Sequence, residues 1–197
     1  MRQFKYNKNW TIWILLLILG LSVLISYNSL VKLDEGVEAQ WANVENVYQR
    51  RSDLIPNLVS TVKAYAAHEQ ETFTAVIEAR SKASSVSIDA GNLNPETIQR
   101  FQQAQGGLTS ALSKLLVVIE RYPDLKANQN FLELQSQLEG AENRIAVERR
   151  KYNEIAKSYN SGIRNFPAVL YNRFFRFEKK GYFEAREGTD VVPEVQF

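Results

Sequence analysis

The chain has 197 residues, no cysteine and one histidine, and its 24 Lys and Arg against 22 Asp and Glu leave a formal charge of +2. Arg2, Lys5 and Lys8 lie at the start, so the rest is near neutral, with its arginine pairs interleaved with glutamates; this weighs against a nucleic-acid partner, which needs a basic face. Without cysteine there is neither a disulfide framework nor an acylated lipoprotein anchor, although a disulfide-free chain suits either side of a membrane.

Asn9 to Val31, 23 residues, carry no charged side chain and are mostly apolar between Trp10 and Ile25. A helix needs about 20 such residues to cross a roughly 30 Å hydrocarbon core, so residues 10–31 are predicted to be a transmembrane helix behind a basic tail, 1–9. Trp10, Trp13 and Tyr27 suit the interfacial belts and are the expected membrane anchors. The run is too long for a cleaved signal, and no small-residue cleavage site follows Ile25. Arg2, Lys5 and Lys8 precede the span without an acid, whereas Lys32 and Arg50 follow it among Asp34, Glu35, Glu38 and Glu45. The positive-inside rule then places the amino terminus in the cytoplasm and the remaining chain outside.

Residues 32–88 read as a long helical segment, with Leu54, Leu58, Val62, Tyr65, Phe73 and Val76 or Ile77 recurring at steps that combine threes and fours. Pro56 removes an amide donor and crowds the carbonyl of Ser52, which predicts a kink or break there. Ala83 to Pro95 reads as a loop, and Asn94-Pro95-Glu96 as a cap, a first-position proline and an acidic first turn. A second helix is expected from Pro95 to Arg121, with Gly106-Gly107 marking a close helix crossing, a local break or a flexible point. Tyr122-Pro123-Asp124 reads as a turn and Asn128 as a helix start.

The third helix, from Asn128 to Ile163 or Arg164, carries the cleanest seam: Phe131, Leu134, Leu138, Ala141, Ile145, Glu148, Tyr152, Ile155, Tyr159 and Gly162. Such alternation of three and four implies packing in a bundle of coiled-coil type. Glu148 breaks the apolar pattern, and Arg144, Arg149 and Arg150 are candidate partners for it.

The order of motifs resembles the LemA family over nearly the whole chain. The resemblance is carried by Trp41 and Val44 before Arg50-Arg51-Ser52-Asp53-Leu54-Ile55-Pro56-Asn57, by Val62-Lys63-Ala64-Tyr65-Ala66-Ala67-His68-Glu69, and by Ala79-Arg80. It continues in Glu120-Arg121-Tyr122-Pro123-Asp124-Leu125-Lys126-Ala127-Asn128, in Leu138-Glu139-Gly140-Ala141-Glu142-Asn143-Arg144-Ile145-Ala146, and in Tyr152-Asn153, Tyr159-Asn160 and Phe166-Pro167. The resemblance implies a small bacterial membrane protein with one amino-terminal span and an elongated antiparallel helical bundle. It also implies, from related magnetosome proteins, that some members shape membranes. Its usual description puts the short amino terminus outside, opposite to the charge-based orientation.

Arg50, Arg51, Asp53 and Pro56 are expected to form a kink-stabilising network that satisfies freed carbonyls or pairs with Glu139 or Glu142; a partner-docking patch is the alternative. Catalysis finds little support. His68-Glu69-Gln70-Glu71 lacks the second histidine of a zinc-protease helix, one histidine cannot supply paired Glu-x-x-His motifs, and no phosphate-binding glycine pattern is present. No catalytic residue, metal or cofactor is therefore assigned. From Phe166 onwards, Tyr171, Phe174, Phe175, Phe177, Tyr182 and Phe183 alternate with Arg173, Arg176, Lys179 and Lys180. That segment, 166–197, is expected to cap the bundle or to lie on the membrane surface, with Glu187 to Phe197 lacking any helical pattern.

The expected protein is thus all-α: a span, then a bundle over 32–165 of three long helices, the first kinked or broken at Pro56. Its expected role is a scaffold or adaptor in the bacterial plasma membrane that touches lipid, binds other envelope proteins and assembles with itself into a ring or parallel cluster. Trp41, Val44, Val47 and Tyr48 are the expected contacts between copies. The alternatives are direct membrane remodelling and regulation of a membrane protease or signalling kinase.

Overall fold

The computed structural model describes residues 8–184; the start of the basic tail and the Glu187 to Phe197 stretch lie outside the described residues. The described chain is all-α. One helix, α1 (Lys8–Lys63), runs from the span into the bundle without interruption. Its 56 residues extend about 84 Å at 1.5 Å per residue. The apolar part, mean hydropathy 2.3 in its best window, is almost wholly uncovered by the chain itself, and Trp10 and Trp13 are 69% and 71% exposed. Such surface requires lipid.

The bundle is completed by α2 (Gln70–Ser85), α3 (Pro95–Ile119), the single turn α4 (Pro123–Lys126), α5 (Gln129–Gly162) and the short α6 (Ala168–Phe175). α5 packs along α1, α3 along α2, and α2 against the far part of α1. The local signals account for the starts of α3 and α5. Asn94 accepts from the Thr97 amide and Asn128 from the Phe131 amide, both at 3.0 Å, and Pro95 occupies the first turn of α3.

Pro56 does not break the helix; α1 continues through it to Lys63. Proline leaves the carbonyl four residues earlier without its usual donor. That carbonyl belongs to Ser52, and Arg80 Nε on α2 donates to it at 2.9 Å. The break falls instead at residues 64–69, so the expected first helix is two, and four rather than three long helices build the bundle. Were α1 to run on, Phe73 and Val76 would project beyond the end of α5. Folding back buries them to 5% and 0% exposure against Ile55, Leu58 and Val62. The turn is tied to the one opposite: Asn128 Nδ2 donates to the Tyr65 hydroxyl at 2.9 Å, and Arg121 pairs with Glu69 at 2.8 Å.

α3 likewise runs straight through Gly106 and Gly107. A side chain at either would meet nothing within 4 Å, so the glycines mark neither a crossing nor a break.

Two apolar cores result. The distal one joins Ile55, Leu58, Val62, Phe73, Val76, Leu108, Leu115, Ile119, Leu125 and Phe131. The membrane-proximal one joins Leu30, Val37, Trp41, Val44, Tyr48, Ile98, Phe101, Ile145, Tyr152, Tyr159 and Phe183. Each fully buried Leu, Ile or Phe contributes about 1.5–3 kcal/mol, and the α5 seam supplies Phe131 and Ile145, with Ala141, Tyr152 and Tyr159 buried beside them.

Candidate interaction site

Between the two cores lies a buried polar layer centred on Arg51, whose side chain is 1% exposed. Its guanidinium donates to Glu142 on α5 at 2.5 Å, to Gln105 on α3 at 2.6 Å and to Thr109 at 3.1 Å. It also sits 5.1 Å from the centre of the Tyr48 ring. Gln105 passes the network on by donating to the Ala83 carbonyl of α2 at 3.3 Å. Arg51 and Gln105 together thereby link all four long helices at a single level.

The residues grouped in the sequence as a kink network therefore separate. Arg51 forms the layer with Glu142, one of the two acids expected. Arg50 is exposed, Asp53 accepts from Gln49 on the surface at 2.8 Å, and Pro56 is served by Arg80. Glu148 pairs with Lys151 at 2.8 Å and accepts from Gln40 at 2.7 Å, not from Arg144, Arg149 or Arg150. These two donors hold its carboxyl below the usual carboxylate range, Lys151 first.

Trp41, Val44 and Tyr48 are turned inward, at 0%, 0% and 6% exposure, and Val47 packs beside them. They are not an outer surface for neighbouring copies. The Trp41 ring stacks on Phe183 at 6.1 Å and meets Phe101 and Tyr152 edge-on at 5.1 and 5.8 Å. Its ring partners come from α3, α5 and the carboxy-terminal segment, all distant in sequence. Burial also pushes the Tyr152 hydroxyl well above its usual range.

Residues 177–184, which have no regular secondary structure, form a strap beside α3 and α5, held by amide side chains. An extended segment without a partner strand leaves its backbone donors and acceptors open, and a carboxamide offers one group of each kind. Asn160 both donates to and accepts from the backbone of Lys180, each at 2.9 Å. Asn153 does the same for Phe183 at 2.8 and 2.9 Å, and Gln102 for Glu184 at 3.3 and 3.1 Å. Lys180 is buried, 2.8 Å from Asp34 and 5.4 Å from the Tyr159 ring centre. Gly181 lies so close to Asn94 and Pro95 that a Cβ would come within 2.8 Å of their backbone. Sequence reasoning missed these readers, although the repeat of Tyr-Asn at 152–153 and 159–160, seven residues apart on the seam helix, is a signal for them.

At the membrane end, α6 caps the bundle. Ala168 and Tyr171 are buried, and the Tyr171 hydroxyl donates to Ser26 Oγ at 2.5 Å. Tyr27, an expected membrane anchor, packs on Phe175 and Phe177 with ring centres 4.8 and 5.8 Å apart. His68 is exposed in the 64–69 turn. Among the described residues no group of His, Cys, Asp or Glu is placed to hold a metal.

An apolar amino-terminal helix that continues into a helical bundle defines a membrane protein anchored by one N-terminal helix. Residues 40–197 match the LemA family, and the chain belongs to it. It is 26% identical to magnetosome protein MamQ of Magnetospirillum gryphiswaldense and to magnetosome protein MamQ 2 of Paramagnetospirillum magneticum, in each case over 88% of this chain and 71% of the relative. It is also 26% identical to protein LemA of Metamycoplasma hominis, over 71% of this chain and 60% of that protein.

Proposed function

We propose that the protein is a scaffold of the bacterial plasma membrane that assembles with itself, binds other envelope proteins and catalyses no reaction. The observation that carries this reading is the continuity of α1. Because one helix forms both the span and the central member of the bundle, the orientation and height of the bundle are fixed relative to the bilayer. Residues 32–63 alone set the far end about 48 Å along the helix axis from the span. A rigid post of that kind suits holding a partner at a set distance. Self-assembly in this reading uses the span and the outer sides of α2 and α3, where Ile77, Leu116 and Val117 stay exposed. The bundle lies outside the cytoplasm, as the basic start of the chain favours.

Two experiments test it. In-cell crosslinking with mass spectrometry is expected to recover homotypic pairs and specific envelope proteins; recovery of neither would defeat the scaffold reading. A cysteine introduced at exposed Ser87 is expected to react with an impermeant maleimide on spheroplasts, and labelling only after lysis would reverse the orientation. The second reading, direct membrane remodelling, is favoured by the similarity to proteins named for the magnetosome. Purified protein that tubulates liposomes without any partner would select it.

A further inference from the structure

At the level where α1 leaves its apolar run, the bundle presents a second apolar surface. On α6, Ala168 and Tyr171 face the bundle, whereas Val169, Leu170 and Phe174 point outward at 52%, 63% and 82% exposure. Phe166, just before the helix, is 76% exposed. Soluble surfaces scatter such residues singly; a contiguous set of large apolar side chains marks an interaction surface. Its position identifies the occupant. α6 is clamped to α1 through Tyr171 on Ser26 and through Phe175 on Tyr27. Ser26 and Tyr27 lie 16 and 17 residues beyond Trp10, about 25 Å along the helix and so near the far edge of a roughly 30 Å hydrocarbon core. The patch is thus continuous with the lipid-facing surface of Leu24 and Ile25, which are 60% and 70% exposed. Exposed Arg164, Arg173 and Arg176 flank it, as on helices that lie in the interface of anionic bilayers.

We propose that Phe166 and α6 form a membrane-inserted collar, in which Phe166, Leu170 and Phe174 enter the boundary between acyl chains and headgroups of the leaflet from which α1 emerges, while Arg164, Arg173 and Arg176 meet anionic phospholipid headgroups. The collar rests on the reading of α1 as a span. It gives the bundle a second, lateral attachment beside the anchor, and so resists tilting of the post that a lone helix would permit. Exposed aromatic side chains wedged into one leaflet beside a fixed helix also supply a means of acting on lipid packing.

The absence of cysteine makes the test direct. Full-length protein carrying a single Trp13→Cys, Phe166→Cys, Leu170→Cys, Phe174→Cys or Ser87→Cys substitution is labelled with an environment-sensitive dye. Each is reconstituted into phosphatidylcholine vesicles with and without phosphatidylglycerol. Dye at 166, 170 and 174 is expected to be severalfold brighter than at 87, quenched by lipid-borne nitroxide and shielded from iodide. Arg173→Gln with Arg176→Gln is expected to reduce the gain that phosphatidylglycerol brings. Dye at position 13 reports the span independently. Quenching by nitroxide at 13, with iodide quenching and no nitroxide quenching at 170 and 174, would overturn the collar and leave the anchor standing; failure at 13 would remove the premise itself. Shielding from both quenchers at 170 and 174 would mean that a second copy covers the patch, and would equally overturn the proposal.

Discussion

Arg51 is a charged side chain at 1% exposure, where the cost of desolvation has to be offset by charge pairing and hydrogen bonds. Glu142, Gln105 and Thr109 supply acceptors for its two terminal nitrogens from two other helices, while Nε has no hydrogen-bond partner among the described residues, so truncation strands polar groups in the middle of the bundle. Arg51→Ala is expected to destabilise by about 2 to 3 kcal/mol, since hydrogen bonds to charged groups are worth about 1.5–3 kcal/mol and Glu142 keeps some solvent. Arg50→Ala, one residue away and exposed, is expected to stay within about 0.5 kcal/mol. Denaturant unfolding in detergent, followed by circular dichroism, compares the two. Equal effects would mean that the layer is not organised by Arg51.

At the scale of the element, α1 passes Pro56 because a side chain from another helix replaces the lost donor. Arg80→Ala leaves the Ser52 carbonyl without that partner and is expected to cost about 1 to 3 kcal/mol. In a Pro56→Ala background the new amide can serve the same carbonyl, so the cost of Arg80→Ala is expected to fall. A double-mutant cycle with a coupling above about 0.5 kcal/mol establishes the link, and strict additivity refutes it. The glycines of α3 and of the strap make an opposite pair. Gly106→Ala or Gly107→Ala adds a methyl to open space on a helix, and each is expected to stabilise by about 0.5–1 kcal/mol. Gly181→Ala places its methyl against the backbone of Asn94 and Pro95 and is expected to loosen the strap, seen as faster hydrogen exchange at residues 177–184 without loss of overall helicity.

For the whole molecule, the decisive observation is that the first aromatic side chains of α1 beyond the span, Trp41 and Tyr48, are buried inside the chain. Trp41 is held by Phe101, Tyr152 and Phe183, contributions from α3, α5 and the strap. Trp41→Asp is accordingly expected to lower helicity and melting temperature together, as Ile145→Asp does from the opposite side of the same core, because each buries an unpaired charge. A Trp41→Asp protein that kept its helicity but lost assembly in mass photometry would return this residue to an interface between copies. Val117→Glu, on the exposed side of α3, is the variant expected to alter assembly while leaving helicity intact.

What the sequence determined by itself is what short-range physics decides. The uncharged run from Asn9 to Val31 specifies a span, the three-and-four spacing from Phe131 to Gly162 specifies α5 and its buried side, and Asn94 and Asn128 cap their helices through amides three residues on. The tertiary structure decided the rest because the deciding partners lie far along the chain. Ser52 and Arg80 are 28 residues apart, Arg51 and Glu142 91, and Gln102 and Glu184 82. Whether Pro56 breaks a helix, whether Trp41 faces a neighbour, and where α1 turns at a segment without glycine or proline all depend on which donor or apolar side chain arrives from such a distance. No local pattern carries that information, because a hydrogen bond or a buried contact is fixed by position in space and not by separation in sequence.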